Sequence, residues 1–351
     1  MSQDFAARLT AWQKQHGRHG LPWQGADAYR VWLSEIMLQQ TQVVTVIPYF
    51  ERFIASFPNI AALAAASEEQ VLAHWSGLGY YARGRNLHKA AQFIVHKHHG
   101  EFPRDFGQIL ELPGIGRSTA AAICALAYHE RRAILDGNVK RVLARYCGIA
   151  GWAGEKKVEA QLWLQAEALL PPRDVAIYTQ ALMDMGATVC TRTRPRCAIC
   201  PVQADCVALQ TDRIADLPAP RPRKAVPEKQ ATFLLLMHGN DILLEKRPGS
   251  GIWGGLWCPP QVEDGLERDY LRRNDMKISE RSELPQFTHT FTHFKLHITP
   301  LLLRIQHKPQ RIQQAGSVWL DVEEALQAAI PTPVRKMLKT LYGVRREGRD
   351  E

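Results

Sequence analysis

The chain has 351 residues, enough for two or three domains, and its 46% hydrophobic content can fill ordinary cores. No run approaches the ~20 apolar residues of a membrane-spanning helix, and the first residues form no apolar signal segment, so a helical membrane protein is excluded and a reducing, cytoplasmic setting is expected. A net charge of +9 and a pI near 9.3 fit a nucleic-acid partner without requiring one, because the basic excess is spread over the whole chain.

Residues 1–215 predict helix after helix. Ala- and Leu-rich stretches at 60–74, 119–128 and 158–170 are separated by breaks at Gly77-Leu78-Gly79, Pro103, Pro113-Gly114 and Pro171-Pro172. Three segments of this region carry candidate chemistry. In the helix around 29–42, Glu35 is the only acidic residue, and Trp32, Leu33, Ile36 and Met37 leave it little polar face. A Glu in apolar surroundings has a raised pKa and can hold a proton near neutrality; a solvated surface Glu is the plain alternative. In Leu112-Pro113-Gly114-Ile115-Gly116-Arg117-Ser118-Thr119, two glycines flank one apolar residue just before an Ala-rich helix. The free N–H groups of such a helix start can grip a phosphate, although an ordinary Pro-Gly connection reads the same way. In Leu135-Asp136-Gly137-Asn138-Val139-Lys140-Arg141, Asp136 sits where a helix should begin. It is either a plain N-cap or a carboxylate kept negative by the helix dipole beside a developing cation.

Cys190, Cys197, Cys200 and Cys206 follow, spaced C-x6-C-x2-C-x5-C. Four thiolates this close can surround an iron–sulfur cluster or a zinc ion, and only Cys197 and Cys200 have the short spacing of a zinc knuckle. Arg192, Arg194 and Arg196 lie between the first two cysteines, which suggests a metal-pinned loop that displays cations to phosphate. Further basic clusters occur at Arg83, Arg85 and Lys89 and at Lys140, Arg141 and Arg145; Cys124, Cys147 and Cys258 need no special role. Residues 217–227 are Pro-rich and basic and predict an extended linker. Beyond it the period changes: strands are expected at 231–238 and 241–246 around a His-Gly-Asn turn and at 294–304, with helices at 322–329 and 334–342, giving an α+β domain.

Taken in order, Glu35, the 112–119 hairpin, Asp136 and the cysteine loop resemble the helix-hairpin-helix DNA glycosylases. The fuller set resembles the MutY family of adenine DNA glycosylases: Leu21-Pro22-Trp23, residues 31–43, Gly77-Leu78-Gly79-Tyr80-Tyr81-Ala82-Arg83, residues 112–119 and 135–141, the cysteine loop, residues 251–257 and Phe291-Thr292-His293. The resemblance covers nearly the whole chain. It implies a multidomain protein: an all-α glycosylase region followed by an α+β domain resembling the Nudix fold of MutT. The expected pieces are an iron–sulfur helical domain (1–22 and 130–216), a six-helix barrel with the helix-hairpin-helix (23–129), a linker (217–228) and a Nudix-like 8-oxoguanine recognition domain (229–345).

The implied substrate is double-stranded DNA with adenine opposite 8-oxoguanine or guanine, and the implied cofactor is a [4Fe–4S] cluster on Cys190, Cys197, Cys200 and Cys206. Glu35 is expected to protonate the flipped adenine and then activate water, and Asp136 to stabilise the oxocarbenium-like sugar, with Asn138 orienting. Gln40 and Tyr80 match residues that enter the duplex, with Leu38 assisting, Gly114 and Gly116 the phosphate-gripping hairpin, and Thr292 and His293 the lesion-reading loop, which in the family often reads Phe-Ser-His. Ser118 stands where bifunctional relatives carry a Schiff-base Lys, so a monofunctional glycosylase is expected, with Lys140 near enough to Asp136 for adventitious trapping. Residues 251–273 lack the paired Glu cluster that a Nudix hydrolase needs for Mg²⁺, so the C-terminal domain is expected to read rather than hydrolyse. A monomer, cytoplasmic and associated with a bacterial nucleoid, is expected.

Overall fold

The computed structural model describes residues 2–222, 225–263, 265–309 and 316–347; Arg223 and Lys224 of the expected linker, and Asp264 and 310–315 of the C-terminal region, lie outside the described residues. Two compact units form, Met1–Ala65 with Asn86–Arg223, and Ala66–Arg85 with Lys224–Glu351. A piece of the helical region is therefore packed with the C-terminal region.

The first unit is helical, as its periodicity predicts. The helix Ala28–Leu38 starts on Asp27, whose carboxylate accepts the Arg30 N–H at 2.9 Å, and it buries Tyr29, Val31, Trp32, Leu33, Ser34, Ile36 and Met37. Apolar residues on every side mark a helix enclosed by neighbours, one of which is the hairpin helix Arg117–Tyr128. A second core joins Phe5 and Leu9 to Leu135, Val139, Leu143, Leu162, Tyr178, Leu182 and Met185. Here the N-terminal helix Ser2–His16 packs on the helix Val175–Thr188, which ends two residues before Cys190. Asp184 is 0% exposed, yet its carboxylate accepts from the Gln13 and Gln180 side chains and from the Arg18 backbone and guanidinium. A buried charge satisfied so completely staples the chain's start to the helix that carries the cysteine loop.

Residues 60–74, expected as one helix, form two, Ile60–Ala65 and Glu68–Trp75. Ser67 makes the break: its hydroxyl accepts the Gln70 N–H at 3.1 Å while the Gln70 side chain accepts the Ser67 N–H at 2.9 Å.

The second unit is built on one eight-stranded sheet. β1 (Glu228–His238) and β2 (Asp241–Lys246) form the predicted antiparallel pair, extended by β3 (Trp257–Cys258) next to β2 and β4 (Gln261–Val262) on β1. β5 (Ile278–Glu283) and β6 (Phe287–Thr290) pair with β7 (Lys295–Ile305), β7 runs parallel to β1, and β8 (Ser317–Asp321) pairs with β2. β1 and β7 are central and alternate side chains between two covered faces, which explains their long apolar runs. Leu234, Leu236, Leu243, Leu301 and Leu303 form one core layer. The C-terminal helix Thr332–Glu347 buries Val334, Met337, Leu338 and Leu341 at helical spacing. No described helix is long and apolar enough to cross a membrane.

Candidate active site and nucleic-acid interface

Glu35 and Asp136 reach the same region of the first unit from different elements. Glu35 lies on the enclosed Ala28–Leu38 helix, and burial, reinforced by the negative charge of Asp136, raises its carboxyl to about 8. Asp136 is the N-cap of the helix Gly137–Tyr146 and accepts the Val139 N–H at 2.7 Å. Burial also raises its carboxyl above the ordinary range. The Val139 and Asn138 N–H groups and the charges of Arg141 and Lys140 oppose that rise. The cap is thus present as the sequence suggests, but the cap and helix dipole only partly offset desolvation. Burial thus raises both carboxyls, and the charge of Asp136 adds to the rise at Glu35.

Ser118 occupies a different place from the one its chemistry alone suggests. Its hydroxyl accepts the Leu135 N–H at 2.9 Å, so it ties the hairpin helix to the residue before Asp136. Lys140 is engaged as well, donating to Glu159 at 2.7 Å. Asn138 accepts from Arg141 at 3.0 Å, and it packs so closely on the helix Val175–Thr188 that a Cβ at Gly186 would lie 2.6 Å from the Asn138 Cβ.

The two hairpin glycines answer to different demands. Gly114 has φ +82°, and a Cβ there would sit 2.8 Å from the Asn86 Cβ, so the fold itself requires glycine. Gly116 is the N-cap of the Arg117–Tyr128 helix with φ −98°, and a Cβ there would meet nothing within 4 Å. No side chain caps this helix start. It is exposed, and its open N–H groups suit a phosphate. Leu38 ends the Ala28–Leu38 helix, and Gln40, exposed just beyond it, holds φ +57°. A left-handed backbone at a residue other than glycine is uncommon and concentrates at functional sites.

Cys190, Cys197, Cys200 and Cys206 line one pocket with Val189, Pro195, Leu209 and Ile214, and none is in a disulfide. Among the described residues, no three His, Cys, Asp or Glu converge on the position of a single metal ion. Arg145, one of the basic cluster at 140–145, is only 3% exposed. It is turned into this loop, donating to the Leu217, Thr191 and Arg192 carbonyls at 2.8–3.1 Å and to the Cys190 Sγ at 3.4 Å. Arg141 likewise donates to the Cys190 and Gly186 carbonyls at 2.7 and 2.6 Å. All three loop arginines are exposed, and Arg196 donates to the Thr188 carbonyl. The inward arginines were not legible as such: a basic residue reads the same in sequence whether it faces carbonyls or solvent.

In the second unit, Thr292 and His293 form the exposed tip of the turn between β6 and β7. Phe291 and Phe294 stack below them, rings 4.4 Å apart, and the Phe291 N–H meets the Phe294 carbonyl at 2.9 Å. Trp253 supports Phe291 from 5.6 Å. Tyr80 is 48% exposed, has φ +48°, and its hydroxyl is 3.0 Å from the Thr292 Oγ1. Sequence reasoning gave Phe294 no part in this site and took Trp253 only as part of the 251–257 motif; the Phe-x-x-Phe spacing flanked by strands was the available signal.

Residues 33–167 match the HhH-GPD superfamily base excision DNA repair protein family, and residues 231–340 match the NUDIX domain. An adenine DNA glycosylase of Buchnera aphidicola subsp. Acyrthosiphon pisum is 39% identical over 95% of this chain and 97% of its own length. The adenine DNA glycosylase of Homo sapiens is 33% identical over 97% of this chain and 74% of its own. Among solved structures, a thermostable thymine-DNA glycosylase is similar over 60% of this chain and 97% of its own, with 25% identity and a TM-score of 0.54. Endonuclease III in a covalent complex with DNA shares the fold at 20% identity and a TM-score of 0.52. Near-complete coverage by adenine DNA glycosylases, with the glycosylase and NUDIX regions in the expected order, leaves one assignment: this chain belongs to the adenine DNA glycosylase family of base-excision DNA repair enzymes.

Proposed function

We propose that the protein removes adenine opposite 8-oxoguanine or guanine from double-stranded DNA by hydrolysing the N-glycosidic bond, as a monomer and without a lyase step. The observation that carries this reading is a pair of half-buried carboxyls in one region, with Glu35 raised to about 8 by desolvation and by the charge of Asp136. At neutral pH Glu35 holds a proton it can give to the flipped adenine, which leaves as a neutral base. Asp136 opposes the positive charge that grows on the sugar, and the deprotonated Glu35 then takes a proton from the attacking water. Asn138 orients this group, while Gln40 and Tyr80 enter the duplex with Leu38 assisting.

Several neighbours support the reading. The uncapped helix start after Gly114-Ile115-Gly116 offers N–H groups to a phosphate. Ser118 has no amine with which to form an imine to the abasic sugar, and its hydroxyl holds Leu135. Thr292 and His293, raised on the stacked Phe291 and Phe294, offer hydrogen bonds to the base opposite the adenine.

The four cysteines fit a [4Fe–4S] cluster. They share one mainly apolar pocket, no disulfide consumes them, and the buried Arg145 guanidinium donates to the Cys190 sulfur. Bound there, the cluster would pin the 190–206 loop, with Arg192 and Arg194 on its surface, and add no step to excision.

The direct test is single-turnover excision of adenine opposite 8-oxoguanine, guanine and thymine, with strand cleavage scored separately. Preference for the first two and cleavage only after heat or base are expected. Cleavage keeping pace with base release would reject the monofunctional part of the reading.

A further inference from the structure

The turn 77–80 belongs by chain position to the helical region, yet the C-terminal half grips it at both ends and at its tip. At the entrance, the Ser76 hydroxyl donates to the Ile330 carbonyl at 2.6 Å and accepts from Arg335 Nη2 at 3.0 Å. Arg335 Nη1 is itself held by the Leu326 carbonyl at 2.5 Å. At the exit, Arg85 Nη1 donates to the Gly254 carbonyl at 2.6 Å. Before the turn, the Glu69 carboxylate accepts from Trp257 Nε1 at 2.5 Å and from Lys246 at 3.1 Å. At the tip, the Tyr80 and Thr292 hydroxyls meet at 3.0 Å.

Inside the turn, Arg83 lies over the rings of Trp75 and Tyr80 and donates to the Leu78 and Gly79 carbonyls at 3.2 Å. Gly77, Gly79 and Tyr80 all hold positive φ, at +106°, +71° and +48°. The glycines take this backbone freely, whereas Tyr80 keeps it only where its surroundings hold it there.

We propose that Arg335 and Ser76 are positioning residues for recognition of the base opposite the adenine: through them the C-terminal half holds Tyr80 and Thr292 as one reading unit. This rests on the reading of Thr292 and Tyr80 given under the proposed function. Entry of Tyr80 into the duplex and inspection of the opposite base are then one event. A mispair that fails to engage Thr292 also fails to stabilise the inserted Tyr80.

The test uses full-length Arg335→Ala and Ser76→Ala, with Arg335→Lys as the conservative variant. Apparent Kd and single-turnover rate are measured on duplexes with adenine opposite 8-oxoguanine and opposite guanine. At saturating enzyme, the excision rates of both Ala variants should stay within about twofold of the parent, whereas the ratio of the two Kd values should fall about tenfold, the size of an ordinary coupling between elements. Arg335→Lys should recover part of that ratio. A Tyr80→Phe change should cost the parent its full effect and cost Arg335→Ala much less, because the strut is already lost. General loss of stability would lower both affinities together and leave their ratio intact. An unchanged ratio in a folded Arg335→Ala protein, or additive effects of Arg335→Ala and Tyr80→Phe, would overturn the inference. A parent enzyme with no preference for 8-oxoguanine would instead reject the reading on which it rests.

Discussion

Glu35 shows how one side chain ties stability to chemistry. Its carboxyl rises from 4.5 to about 8 on folding, so between those values the folded protein keeps a proton that the unfolded chain has released. Stability from this group therefore falls as pH rises through that window, and below it the penalty disappears. Glu35→Gln removes the titration. It should raise Tm near about pH 9 and leave Tm unchanged near about pH 4, while lowering the excision rate at neutral pH by at least ~10²-fold with DNA binding kept. The parent's excision rate should decline as pH rises through about 8, a limb that melting curves and single-turnover assays can follow together. Near-parental excision by Glu35→Gln would refute the assignment. Asp136 separates into two roles. Asparagine keeps an N-cap and loses the charge, so Asp136→Asn should stay folded and lose ~10²–10³-fold in rate. Asp136→Ala should add about 1 kcal/mol of instability from the lost cap. Full activity in Asp136→Asn would reduce the residue to a helix cap.

Among the elements, the hairpin turn distinguishes what the fold needs from what the ligand needs. Gly114 is demanded by a positive φ and by Asn86, whereas nothing in the chain demands Gly116. Gly116→Ala should therefore leave the unfolding free energy within about 1 kcal/mol of the parent and weaken duplex affinity several-fold, because the methyl group stands where a phosphate would approach. Equal affinity in that variant would place the phosphate elsewhere. The cysteine loop invites a compositional test: about four irons per chain and a yellow-brown colour, both lost in Cys197→Ala. One zinc and no iron would overturn the cluster. Both elements were legible from spacing alone, as were β1, β2 and the hairpin helix, because glycine, cysteine and alternating apolar residues leave marks along the chain. The supports of the site were not. Ser118 holding Leu135 and Arg145 entering the cysteine loop depend on partners 17 and 45 residues away, and no local pattern announces them.

At the scale of the molecule, the Pro-rich linker misleads about where the chain divides. It suggests a cut after which two bodies stand alone, and part of it does lie along the helical unit: Leu217 is buried and the Ala219 N–H meets the Gly151 carbonyl at 3.0 Å. But Ala66–Arg85 packs with Lys224–Glu351. The capping box at Ser67 sets off the short Glu68–Trp75 helix, in which Glu69 accepts from Trp257 and Lys246, while Ser76 and Arg85 beyond it bond to Ile330, Arg335 and Gly254. Ending the chain near Pro218 removes all of those partners at once. The carboxyl pair, the hairpin and the four cysteines all precede the cut, so the shortened protein should still excise adenine in single-turnover assays. Its turn 77–80, with Tyr80 at a positive φ and two flexible glycines no longer clamped, should become the first site of proteolytic nicking. With Thr292 and His293 gone, its preference for 8-oxoguanine over guanine should shrink by ~1–3 kcal/mol, roughly what polar contacts to one base edge contribute. Limited proteolysis and paired excision assays on the two mispairs check these effects separately. A truncated enzyme with an intact turn and an unchanged preference would move lesion reading into the helical unit.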